Sequence, residues 1–131
     1  MNLLLDTPIL LWSLLEPERL SRDVAAALED ESSTLWLSPI TTWEVLILAE
    51  RGRLELHREP AAWLRQVLGE IPFKEAALNH EVVIRSRGVD LSHQDPADRF
   101  LVATARVYDL TLVTADRHLL GLKDLKLLPN R

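Results

Sequence analysis

Cysteine is absent from the chain, which excludes a disulfide framework, a zinc–thiolate centre and a thiol nucleophile together. Any bound metal must then be held by carboxylate, imidazole or carbonyl groups. A basic leader is also missing. No Lys or Arg precedes Arg19, and Asp6 and Pro8 interrupt the apolar opening MNLLLDTPILLW, so the N-terminus does not have the pattern of a secretory signal peptide. No later stretch reaches the roughly 18 uninterrupted apolar residues of a membrane span. The simplest expectation is a soluble, cytoplasmic protein with no membrane partner. Nor is there an excess of positive charge: 15 basic against 20 acidic side chains leave a net charge of −5, which argues against a non-specific nucleic-acid binder held by a basic surface. Repeats, low-complexity tracts and flexible linkers are lacking too, so residues 1–131 read as one domain.

What is present is an ordinary globular balance, 47% hydrophobic and 27% charged, sufficient for a real core. Residues 2–6 predict a short buried strand. Thr7-Pro8 then offers a helix N-cap and a proline at the first helical position, opening a helix over Ile9–Leu15 that Pro17 stops. Ser21 caps a second helix to about Glu31. Thr34–Leu37 is another short apolar strand, and Ser38-Pro39 repeats the cap and proline ahead of a helix to Arg51, stopped at Gly52. Pro60–Leu68 and Lys74–Arg87 read as two further helices, each closed by a glycine. Asp95-Pro96 opens the last long helix, to about Asp109; a strand at 110–114, a short helix from Asp116 and a closing strand near Leu125–Leu128 follow. Short apolar strands alternating with helices predict an α/β domain with a mainly parallel sheet.

Four carboxylates stand out against this framework. Asp6 ends an apolar strand, where an ionised carboxylate is costly unless paired, hydrogen-bonded or metal-bound. Glu44 shares its helix row with Ile40, Ile47 and Leu48, so it lies on the face that should pack inward. Asp98 shares its row with Leu101, Val102 and Ala105. Asp116 follows strand 110–114 as Asp6 follows strand 2–6, and both should emerge at the carboxyl edge of a parallel sheet, where α/β ligand sites form. Each alone has an ordinary explanation. Asp6 and Asp116 are placed to cap the helices after them, Glu44 to reach solvent from an edge, and Asp98 to sit favourably in a helix's first turn. The information is in the conjunction.

Carboxylates within about 4–6 Å of one another raise each other's pKa, so such a cluster calls for a counter-ion. Hard oxygen ligands suit Mg²⁺ or Mn²⁺, which can activate water and neutralise a phosphoryl oxygen, making phosphodiester hydrolysis the natural reaction. Setting the four acids aside leaves 15 basic against 16 acidic residues, a nearly neutral remainder. Arg99 and Arg117, each directly after a proposed ligand, with Arg51, Arg53, Arg85 and Arg87, are either a local approach for phosphate or solvated surface.

The blocks LLLDT, LSPITTWEV, DPADRFLVATA and LVTAD, in this order and spacing across essentially the whole chain, resemble PIN domains, specifically the VapC-type toxin ribonucleases of toxin–antitoxin modules. The resemblance implies a PIN-like α/β/α sandwich and assigns the acidic quartet to Asp6, Glu44, Asp98 and Asp116 as catalytic metal ligands. It adds the small hydroxyls of Ser38 and Thr114 as supporting groups; Asp95 caps the helix carrying Asp98 or binds metal directly. It further implies a Mg²⁺- or Mn²⁺-dependent endoribonuclease acting on RNA, a homodimer, and neutralisation by a small VapB-type antitoxin. Of four tryptophans, Trp36 is expected in the core. Trp12, Trp43 and Trp63 lie on helices, and Trp12 and Trp63 are candidates for an antitoxin groove as against internal packing. His57, His80, His93 and His118 lack metal spacing and read as surface or capping groups.

Two rivals remain. A haloacid-dehalogenase-type phosphatase also places an Asp after an apolar strand, but expects a second Asp where this chain has Pro8. A PIN-like module that only binds RNA or protein has no need of four mutually repelling acids.

Overall fold

A computed structural model describes residues 1–91 and 95–131 of the chain. Strand β1 (Asn2–Leu5) leads into α1 (Thr7–Leu15), a 3₁₀ turn (Pro17–Arg19) and α2 (Arg22–Glu29). Strand β2 (Thr34–Leu37) is followed by α3 (Pro39–Glu50) and α4 (Pro60–Glu70), then β3 (Lys74–Glu75) and α5 (His80–Ser86). Helix α6 (Pro96–Val107), β4 (Thr111–Thr114), a second 3₁₀ turn (Arg117–Leu119) and β5 (Lys126–Pro129) complete the order.

The sheet has the order β3-β2-β1-β4-β5, and every neighbouring pair is parallel. Parallel neighbours need crossovers, which here are the helices, and helices on both faces bury the central strands β1 and β4. The strand residues show it. Leu4 and Leu112 face α5 and α6 in one apolar core, whereas Leu3, Leu5 and Val113 face the opposite way, into the core built on α1 to α4. Side-chain alternation along a strand thus divides a continuous apolar run between two cores. Leu3, Leu4 and Leu5 are at most 1% exposed, and burial of each contributes roughly 1.5–3 kcal/mol, so β1 is anchored at the centre.

This central strand positions the site. The chain works outward from β1 through β2 to β3, then returns to the other side of β1 to lay down β4 and β5. The reversal falls between the carboxyl ends of β1 and β4, where a crevice opens in such sheets.

Several element boundaries depart from the sequence expectation. Helix α1 begins at Thr7, with Asp6 as its N-cap. Lys74–Arg87 is not one helix: Trp36 and Leu37 of β2 pair with Lys74 and Glu75, and the helix starts only after Asn79, whose side chain accepts from the Val82 N–H at 3.0 Å. A cap inside a helical pattern resets its start. Gly69 does not close α4, which continues to Glu70. Gly52 does follow α3, at φ +68°, a left-handed conformation suited to glycine.

Candidate active site

The first acid, Asp6, leaves β1 with 6% exposure. Its backbone N–H still donates to the Val113 carbonyl at 3.2 Å, which locks its position to β4. One carboxylate oxygen accepts from the Ile9 N–H at 3.0 Å and caps α1. The Thr114 hydroxyl, at the end of β4, hydrogen-bonds the same carboxylate. The capping explanation and the site explanation of Asp6 are therefore compatible, because a carboxylate has two oxygens.

Glu44 comes in from α3. Its Oε1 accepts from the Thr7 hydroxyl at 2.6 Å, a charge-assisted bond that ties α3 to the first residue of α1. Asp116 enters beside β4: its N–H donates to Thr114 Oγ1 at 3.0 Å, and its Oδ1 accepts from the His118 N–H at 2.9 Å and lies 3.0 Å from His118 Nδ1. Thr114, wholly buried, thus joins Asp6 to Asp116. Asp98, in the first turn of α6, is half-buried and faces all the others.

The electrostatics show this convergence. Burial, then the charges of Asp95, Asp116, Glu44 and Asp6, push the Asp98 carboxyl up to about 7. Burial likewise raises Asp6 to about 6; the Thr114 and Ile9 hydrogen bonds oppose the rise, and Glu44 and Asp116 add to it. Glu44 is raised by burial, lowered by the Thr7 hydrogen bond, and raised again by Asp95. Four acids from four elements share one field, and two of them are tuned to the neutral range.

Among the described residues, no three His, Asp or Glu side chains are gathered tightly enough to coordinate one ion as they stand. Glu44 is hydrogen-bonded to Thr7, and Asp116 lies against His118. The fit to a hard divalent cation lies in the oxygen donors and in the charges of neighbouring acids that Asp98 registers.

The remaining candidates divide. Ser38 is 1% exposed and caps α3 by accepting from the Ile40 N–H at 3.1 Å. Asp95 caps α6 by accepting from the Ala97 N–H at 3.0 Å. Arg99 does not line a phosphate approach: its guanidinium turns to the segment before α6 and donates to the Val89 and Leu91 carbonyls at 2.7 and 3.0 Å. Trp63, 4% exposed, belongs to the core over α1 to α4 and is not a groove wall; its place in α4 turns it onto the sheet. Trp12 is half-buried, with the Arg19 guanidinium 4.2 Å from its ring centroid. The tryptophan that does reach solvent is Trp43, 48% exposed. His57 and His80 are exposed, and His93 lies outside the described residues. Thr7 was missed as a site residue, because a threonine before proline reads as a cap.

Fold and site together define a class: a three-layer α/β domain with a cluster of acids at the switch point of a parallel sheet. The PIN domain family model matches residues 3–125, and the chain belongs to that family. It is 32% identical over 119 residues to Ribonuclease VapC22 of Mycobacterium tuberculosis, covering 90% of this chain and 89% of that protein. The fold is shared with the crystal structure of VapBC2 from Rickettsia felis bound to a DNA fragment from their promoter, with TM-score 0.73, 15% identity and full coverage of both chains. A toxin-antitoxin complex from Klebsiella pneumoniae also shares it, with TM-score 0.64, 22% identity and 93% of each chain covered.

Proposed function

We propose that this chain is a divalent-metal-dependent endoribonuclease toxin of the VapC type, which hydrolyses RNA phosphodiester bonds in the cytoplasm as a homodimer and is held inactive by a VapB-type antitoxin. The observation that carries the catalytic part is Asp98, whose carboxyl is pushed up to about 7 by burial and by four neighbouring acids. Carboxylates that repel one another in this way suit a cation. The choice of RNA follows from the ribonuclease relative; the antitoxin follows from the complexes that share the fold.

Asp6, Glu44, Asp98 and Asp116 would hold Mg²⁺ or Mn²⁺. When bound, such an ion supplies an acidified water and charge neutralisation at the phosphoryl oxygen. The chain's own residues prepare the place. The Thr114 hydroxyl orients the Asp6 carboxylate and anchors the Asp116 backbone. The Thr7 hydroxyl keeps Glu44 turned toward α1 and favours its ionised form. His118 restrains Asp116.

The test is to incubate the antitoxin-free protein with a pool of structured RNAs in Mg²⁺, in Mn²⁺ and in chelator. Cleavage is expected with either metal, none with chelator, and none from Asp6→Asn that remains folded. Cleavage that survives Asp6→Asn would overturn the assignment of the quartet.

A further inference from the structure

Beside the acid cluster lies a cavity of about 360 Å³ whose wall includes Thr114, Arg117, Leu120, Pro129, Asn130 and Arg131. It is at the small end of ligand pockets, which span roughly 300–1,000 Å³. Thr114 belongs to both places, since its hydroxyl bonds Asp6 and the Asp116 N–H. The far wall is tied down by hydrogen bonds of Asn130. The Asn130 N–H donates to the Thr114 carbonyl at 2.8 Å, while its side chain accepts from the Ser21 N–H at 2.6 Å and donates to the Arg19 carbonyl at 3.1 Å. That amide is held by two bonds to the backbone.

The two arginines are different. Both are exposed, and among the described residues neither side chain has a hydrogen bond or an ion pair. Two uncommitted guanidinium groups on one small cavity are notable in a chain of net charge −5, next to four carboxylates that repel any phosphate. Arginine's planar fork matches phosphate oxygens bidentately. Leu120 and Pro129 give the cavity an apolar wall, against which a ribose or base can rest.

We infer that Arg117 and Arg131 form a phosphate-binding subsite, which holds a phosphodiester of the RNA strand adjacent to the scissile one and so draws the strand across the acid cluster. The inference rests on the phosphodiesterase reading above and deepens it. Neither arginine touches the reacting atoms in this assignment; they are positioning residues.

The experiment measures metal-dependent cleavage of a single-stranded RNA by the native chain and by Arg117→Ala, Arg131→Ala and Arg117→Lys. Each alanine variant is expected to raise KM about tenfold, the loss of one charge-assisted contact, with kcat and thermal midpoint unchanged. The slope of log KM against log salt should fall by about 0.7 for each arginine removed. Arg117→Lys should keep the native salt slope while KM rises, because the charge remains and the fork is lost. If the native chain does not cleave, the phosphodiesterase reading fails and the subsite with it. Cleavage by the native chain with KM and salt slope unchanged in both alanine variants overturns the subsite alone. So does weaker inhibition by inorganic phosphate with an unchanged KM, since that marks a small-anion site. Should one alanine variant unfold, the other carries the same test.

Discussion

A threonine's hydroxyl beside a carboxylate can matter as much as another acid. Thr7 is 4% exposed and donates to Glu44 at 2.6 Å, so its loss leaves Glu44 partly buried, with a carboxyl raised further by burial and by Asp95. Groups that orient metal ligands typically change metal affinity by about 10–100-fold. Thr7→Val is therefore expected to raise the metal concentration for half-maximal cleavage about tenfold, with Thr7→Ser restoring most of it. A metal titration of activity decides, and an unchanged midpoint in Thr7→Val would show that Glu44 does not depend on it. At this scale the sequence was informative where a residue broke a pattern: Asp6 ended an apolar strand and Glu44 interrupted an apolar helix face. It was silent where a residue obeyed one. Thr7 and Ser38 are ordinary before proline, and nothing in their spacing distinguishes a hydroxyl that caps from one that holds a carboxylate. Arg99 misled for a related reason, because adjacency to Asp98 says nothing about a side chain long enough to turn back to Val89 and Leu91.

Among the elements, those with strong local signals were legible. Both Thr34–Leu37 and the start of α3 at Pro39 stand where the apolar run and the Ser38-Pro39 pair place them. The two-residue strand β3 was not, since Lys74-Glu75 carries no alternation and exists through pairing with β2. Charged residues also suit an edge strand, which they protect from pairing with another chain. Helix α4 shows the same limit: its amphipathic pattern is clear, yet whether it buries Trp63 depends on what it packs against. Trp63 lies with Leu64 and Val67 on the inward face of α4, so Trp63→Ala is expected to destabilise the fold by about 3–5 kcal/mol. Trp43→Ala, at 48% exposure, should fall within about 1 kcal/mol of native. Denaturant unfolding of both variants measures the difference, and comparable losses would contradict the assignment of Trp63 to the core.

For the molecule as a whole, the acid cluster sets opposing terms against each other. Folding brings the carboxylates together at the sheet's switch point, and the metal-free fold responds by holding protons. Asp98 titrates near 7 and Asp6 near 6, each raised from 3.8, and Glu44 is raised as well. With folded-state pKa values above the unfolded ones, the contribution of these groups is fully present below about pH 4 and is lost as pH rises through 6 and 7. The exposed caps Asp30 and Glu59, held low by backbone N–H bonds, act with the opposite sign and at lower pH. Cation binding requires the ionised carboxylates and so strengthens as pH rises. The thermal midpoint of the metal-free protein should therefore be roughly 3–6 °C higher at pH 5 than at pH 8, and added Mn²⁺ should raise it at pH 8 much more than at pH 5. Asp98→Asn removes the group that registers all the other charges, so it should flatten the pH slope and blunt the Mn²⁺ response together. A variant that keeps the native slope would show that Asp98 does not carry the pH dependence, and one that keeps the full Mn²⁺ shift would remove Asp98 from the metal site.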